Sequence, residues 1–202
     1  MTRITLDIPD DRTVALRFEG GLSDRAFDEF CARHPDLRVE REKDGQLTIL
    51  SPVHYSSGYY EAAFIGRLTI YEINFKTGRS ISSAAGYTLP DGSIRMADAA
   101  FVSNEQHAAL GNQDIESFAP VVPIFIVEVR SGSDRLNALK KKMRDTWIAN
   151  GVHLAWLIDP QNRTATIYRR DGSETEISGF DKILDGEDVL PGFTFDLSIL
   201  AV

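Results

Sequence analysis

Two acidic residues stand where acids are costly. Glu128 interrupts the apolar run Ile124-Phe-Ile-Val-Glu-Val129, and Asp98 interrupts Met96-Ala-Asp-Ala-Ala-Phe-Val102. A carboxylate taken out of water without compensation costs several kcal/mol, so each must be paired, protonated or bound to a metal. If both runs are strands, the pleat places Met96, Asp98 and Ala100 on one face of the first, and Ile126, Glu128 and Arg130 on one face of the second. Were the two strands neighbours, both carboxylates would point at one place. That arrangement suits a hard cation such as magnesium, which takes one or two carboxylates, often a backbone carbonyl, and keeps several waters. The carbonyl of Val129 lies beside Glu128 to serve as that third donor. Such an ion polarises a phosphate and generates hydroxide at neutral pH. Spacing alone leaves the plainer alternative open, in which each acid pairs with Arg130, Arg95 or a lysine.

Chemistry on a phosphate also needs a positive charge where negative charge develops. Arg130 lies two residues past Glu128 on the same strand face. The run Lys140-Lys141-Lys142 belongs to a helix whose buried stripe is Leu136, Leu139, Met143 and Trp147. At about 100° per residue, Lys141 points away from that stripe while Lys140 and Lys142 flank it. Either of the two could reach over the sheet towards Glu128, although a solvated face is the default for such a run.

Other chemistries find little support. There is no glycine-rich phosphate loop, no dinucleotide fingerprint and no nucleophile elbow. His34, His54, His107 and His153 show no ligand spacing and read as structural or solvated. Cys31, the one cysteine, excludes an intramolecular disulfide framework and a cysteine-built zinc site, and reads as a core thiol. A hydrolase built on Ser131 and a histidine is set aside.

The elements that must position the acids follow from periodicity and punctuation. Leu22–His34 has helical spacing with Ser23 as cap. Leu37–Arg41 and Gln46–Leu50 alternate around Asp44-Gly45 as a hairpin. Ser56–Phe75 reads as a helix capped by Ser56 or Ser57, with Phe64, Leu68 and Tyr71 as its apolar stripe. Strands are expected at Arg79–Ser83, Gly86–Leu89 and Met96–Val102, then a loop with a short helix over Ser103–Pro120. Val121–Arg130 reads as a central strand buried on both faces. A helix over Asp134–Asn150, capped by Ser133 or Asp134, leads to strands at His153–Asp159 and Thr164–Arg169. The tail around Val189–Leu197 carries little signal. The second long strand, its helix and the strand after it form a crossover unit, and the whole is an α/β fold with a mixed sheet.

In that order the residues resemble a known family. Asp98-Ala-Ala-Phe-Val102, Phe125-Ile-Val-Glu-Val-Arg-Ser131, Ser133-Asp134 with Leu136, Leu139 and Lys142-Met143, Asn150-Gly-Val and Trp156-Leu-Ile-Asp-Pro160 are similar to the Uma family, a bacterial group assigned to restriction endonucleases of the PD-(D/E)XK nuclease superfamily. Leu37-Arg-Val-Glu40, Gly45, Ser51-Pro52 and Leu190-Pro-Gly-Phe193 fit as well, so the resemblance covers roughly residues 30–200. It implies a restriction-endonuclease-like core of helix, three-stranded antiparallel meander, crossover helix and fourth strand. It also implies that Asp98 and Glu128 bind metal and that Lys142 is a catalytic lysine moved from the strand to the helix, with Arg130 in the lysine's usual place. Ala97 stands where the family has proline, and Gly132 where proline is common. The spacing from Lys142 to Asn150 leaves Lys140 as an alternative. Glu40 or Glu61 would be the acid that completes the site, although a surface or structural role is the default for each.

Length and charge bound the rest. The 202 residues, 43% apolar and 26% charged, fit a single domain with residues 1–35 as an N-terminal extension. No stretch approaches the roughly 20 apolar residues of a membrane span. The acidic N-terminus lacks a secretion signal, and the expected location is the cytoplasm. A net charge of −8 and a pI of about 5.0 disfavour tight nonspecific binding of nucleic acid, but not a local basic groove or a site where metal ions supply the positive charge. The reading is therefore a magnesium-dependent (or manganese-dependent) endonuclease acting on DNA, with a two-fold homodimer as its expected assembly. Its rival is a nuclease fold without nuclease activity that serves as a binding module.

Overall fold

The computed structural model describes residues 14–16, 18, 20–132 and 134–201. The acidic N-terminal segment 1–12 and the capping role of Ser133 lie outside the described residues.

In chain order the elements are strand β1 (Val14–Leu16), helix α1 (Asp24–Arg33), strands β2 (Arg38–Arg41) and β3 (Leu47–Leu50), and the long helix α2 (Tyr55–Phe75). Strands β4 (Gly78–Ser82), β5 (Tyr87–Thr88), β6 (Ile94–Arg95) and β7 (Ala99–Ser103) follow. Two short helices, α3 (Asn104–Ala108) and α4 (Asn112–Ile115), lead to β8 (Phe125–Val129). Helix α5 (Leu136–Lys142) runs into a π-wound segment (Met143–Ile148), and then come β9 (Leu154–Asp159), β10 (Thr164–Arg169), β11 (Glu174–Ser178), β12 (Ile183–Asp185), β13 (Thr194–Asp196) and a final 3₁₀ turn (Leu197–Leu200).

The larger sheet has the order β11-β10-β9-β8-β7-β4. Among the described strands of this sheet only β8 and β9 pair in parallel, and α5 with its π-wound extension makes the crossover between them. The antiparallel set β4, β7 and β8 is the meander expected from the sequence. The smaller sheet, β1-β3-β2-β6-β5, is built on the predicted hairpin, whose turn uses Gly45 at φ +78°.

Each face of the larger sheet carries its own core. On one side Phe64, Leu68 and Tyr71 of α2 pack on Phe101, Phe125, Val127 and Trp156. On the other, Met143 and Trp147 pack on Ala100, Ile126, Ala155 and Leu157. The alternation of strand residues between faces explains why β8 is buried throughout. A third cluster, with Phe27 of α1 on Val39, Leu47 and Ile94, covers the outer face of the smaller sheet.

The structure corrects several expected details. The strand expected at Met96–Val102 starts later: β7 pairs in the larger sheet from Ala99 to Ser103, Ile94–Arg95 pairs in the smaller sheet, and residues 96–98 cross between them. Helix α2 begins at Tyr55 after His54, not at a serine cap. Asp134 does not cap α5; its carboxylate accepts the Ser131 N–H and closes a turn, so the helix starts two residues later. The tail supplies Leu184, Leu190, Phe193, Phe195, Leu197 and Leu200 to the first core, and the Phe195 ring stacks on Phe64 with centroids 3.9 Å apart.

Candidate active site

The register of β7 on β8 pairs Ala99 with Val127 and Ala100 with Ile126. Extended by one residue, it sets Asp98 opposite Glu128, and directly opposed residues share a face. That face is the one covered by α5 and the π-wound segment. The two acids singled out in the sequence therefore meet where β7 begins and β8 ends.

Each carboxylate is anchored through one oxygen. Asp98 Oδ2 accepts the Val129 N–H at 2.6 Å. Glu128 Oε1 accepts the indole N–H of Trp147 at 2.7 Å and lies 2.9 Å from Lys142 Nζ. Among the described residues, Asp98 Oδ1 and Glu128 Oε2 accept no hydrogen bond. Burial, then the neighbouring Glu128 carboxylate, pushes the Asp98 carboxyl well above the usual range, and Glu61 on α2 adds to the rise. Burial also raises Glu128, with Lys142 opposing and Glu40 assisting.

Lys142 is the cation that reaches this place. Its ammonium lies 3.3 Å from Glu40 Oε1 and 3.5 Å from the Met96 carbonyl, besides its contact with Glu128. Burial alone would lower the Lys142 pKa, but Glu128 and Glu40 outweigh it and hold the ammonium above its ordinary value. Lys140 instead turns to Glu176 at 3.1 Å, Lys141 pairs with Asp145, and Arg130 is engaged by Asp159 at 3.0 Å. The choice among the candidate cations is thus geometric.

Glu40, Arg95 and Trp147 complete the constellation. The pairing of Arg41 with Ile94 places Glu40 opposite Arg95 in the smaller sheet. Glu40 Oε2 accepts from Arg95 Nη1 at 3.0 Å, and Oε1 accepts the Met96 N–H at 3.0 Å. Arg95 also binds the Glu42 carboxylate. Burial tends to raise Glu40, but Lys142, Arg95 and the Met96 N–H together hold it below the usual range. Sequence reasoning weighed Arg95 only as a pairing partner of the acids and Trp147 only as part of an apolar stripe. The segment that carries Trp147 is π-wound, with Ala149 N–H bonding back to Arg144 C=O at 3.0 Å; the helical period puts Trp147 on the buried stripe but does not show that its indole N–H meets Glu128.

Among the described residues, no group of three or more His, Cys, Asp or Glu side chains forms a cage. Two opposed carboxylates, each with an oxygen uncommitted, fit magnesium, which binds one or two protein carboxylates and fills its remaining positions with water or substrate phosphate. They do not fit a closed structural site.

No curated protein matches the chain. A solved structure described as a "putative nuclease belonging to DUF820" from Anabaena variabilis ATCC 29413 is similar, with a TM-score of 0.67, 13% identity, and coverage of 80% of this chain and 88% of that one. The likeness bears out the restriction-endonuclease-like mixed sheet. The chain also matches, over residues 24–199, the Uma2 family, described as "Putative restriction endonuclease". The span takes in every strand of the two sheets except β1 and every residue of the constellation, and the chain belongs to the Uma2 family.

Proposed function

We propose that the protein is a metal-dependent endonuclease that hydrolyses phosphodiester bonds of DNA. The observation that carries this reading is the register-opposed pair Asp98 and Glu128 with the Lys142 ammonium 2.9 Å from Glu128. Magnesium or manganese, held by Asp98, Glu128 and the Val129 carbonyl, would polarise the scissile phosphate and lower the pKa of a bound water. Lys142 supplies fixed positive charge beside the phosphate, where charge builds in the transition state. The Val129 N–H fixes the orientation of Asp98, and Trp147 fixes Glu128 while closing that side to water. Two copies related by a two-fold axis would present two such centres to opposite strands, which sedimentation of the full chain checks.

The test is plasmid DNA incubated with the purified chain, with and without magnesium or manganese, beside Glu128→Ala. Metal-dependent nicking reduced at least about 100-fold in the variant is expected. Absence of nicking, with no metal-induced rise in melting temperature, would favour the binding-module reading instead.

A further inference from the structure

We infer that Glu40 is the positioning residue of this centre: it holds the Lys142 ammonium over Glu128 and is not a third metal ligand. Its mechanistic meaning rests on the nuclease reading, whereas its geometry does not.

Both oxygens of Glu40 are already committed. Oε1 receives the Met96 N–H at 3.0 Å and lies 3.3 Å from the Lys142 ammonium, and Oε2 receives Arg95 at 3.0 Å. A divalent ion on Glu40 would sit among two cations, whose repulsion works against it. Asp98 differs, because its one anchored oxygen faces a neutral backbone N–H. The charges alternate along a connected series of Glu42, Arg95, Glu40, Lys142 and Glu128. Arg95, whose side chain is 10% exposed, is held from both sides by Glu40 and Glu42 and so fixes Glu40 in turn. Lysine has a flexible stem and three rotatable donors. With Glu128 as its only carboxylate it would be free to swing. The second carboxylate defines one position for the ammonium, and the Met96 carbonyl at 3.5 Å adds a third contact. The smaller sheet therefore orients the lysine that the crossover helix supplies.

The experiment uses the full chain as wild type, Glu40→Gln and Glu40→Asp. Manganese binding is measured by calorimetry without DNA, and the lysine ammonium signals by NMR of isotope-labelled protein, with the Lys142 signal assigned by its loss in Lys142→Met. Nicking is measured at saturating metal. In Glu40→Gln the Lys142 signal should shift or broaden, manganese affinity should fall by no more than about 100-fold, and nicking should slow by about 10–100-fold, with part regained in Glu40→Asp. A fall in manganese affinity of more than about 100-fold, beyond what the loss of an outer-sphere partner costs, would make Glu40 a ligand and overturn the inference. An unchanged Lys142 signal would overturn it as well. Should Glu40→Gln fail to fold, Glu40→Asp carries the same readouts with smaller shifts. If the wild type does not nick DNA, the nuclease reading fails and the manganese and NMR results still decide the role of Glu40. If it binds no manganese either, the ammonium signal alone decides.

Discussion

Lys142 neutralises two buried carboxylates at once, so its removal should be costly in a way a surface lysine's is not. Taking one partner from a buried ion pair leaves an uncompensated charge, and Lys142→Met should lose about 3–5 kcal/mol in urea unfolding with a chelator present. Added magnesium should restore part of that loss. Lys140→Ala, which breaks only a surface pair with Glu176, should change stability by no more than about 1 kcal/mol. Trp147→Phe keeps the packing but removes a donor to a buried carboxylate, and should cost about 2 kcal/mol in the same assay. Asp98 and Glu128 were legible in the sequence because an acid inside an apolar strand is costly and the pleat aligns them. Glu40 and its hold on Lys142 were less so. The two are 102 residues apart, and their meeting depends on how the smaller sheet docks, which no local pattern encodes.

At the scale of elements, periodicity found the long helices and the strands β2–β5 and β7–β10, including the Ser23 cap, whose hydroxyl accepts the Ala26 N–H at 3.3 Å, but it missed β1, β6 and β11–β13. It failed where the backbone departs from a regular period. The β6–β7 crossing falls at Met96-Ala97-Asp98, whose alternation continues that of β7 and so reads as strand. The π-wound turn looks like ordinary helix in sequence. Gly78 at the start of β4 shows how tightly β7 is set: a Cβ there would lie 2.2 Å from the Val102 carbonyl oxygen and 2.4 Å from the Phe101 ring. Gly78→Ala should therefore destabilise the chain by about 2–3 kcal/mol in thermal or urea unfolding. Because β7 leads directly from Asp98, metal binding should weaken in the same variant.

For the molecule as a whole, the acidic balance sets an expectation about DNA. A chain with net charge −8 has few phosphate contacts to offer, and without a divalent ion its affinity for duplex should be no tighter than about 10⁻⁵ M at physiological salt, falling as salt rises. Fluorescence anisotropy with a labelled duplex checks this, and a micromolar or tighter metal-free complex would contradict it. The mixed sheet was readable from the order of its strands and helices and its meander from the family resemblance, although β5 and β6 leave for the smaller sheet between β4 and β7. The tail's place in the core was not, since its apolar residues show no regular period and are buried only against α2 and the sheet. The span of the contacts has a consequence for the chain as it is made. Glu40 leaves the ribosome 102 residues before Lys142, and contacts of such separation close late. Nascent and partly digested chains therefore lack a complete centre. The chemistry of the centre is in this way withheld until the crossover helix has been made and has docked on the smaller sheet.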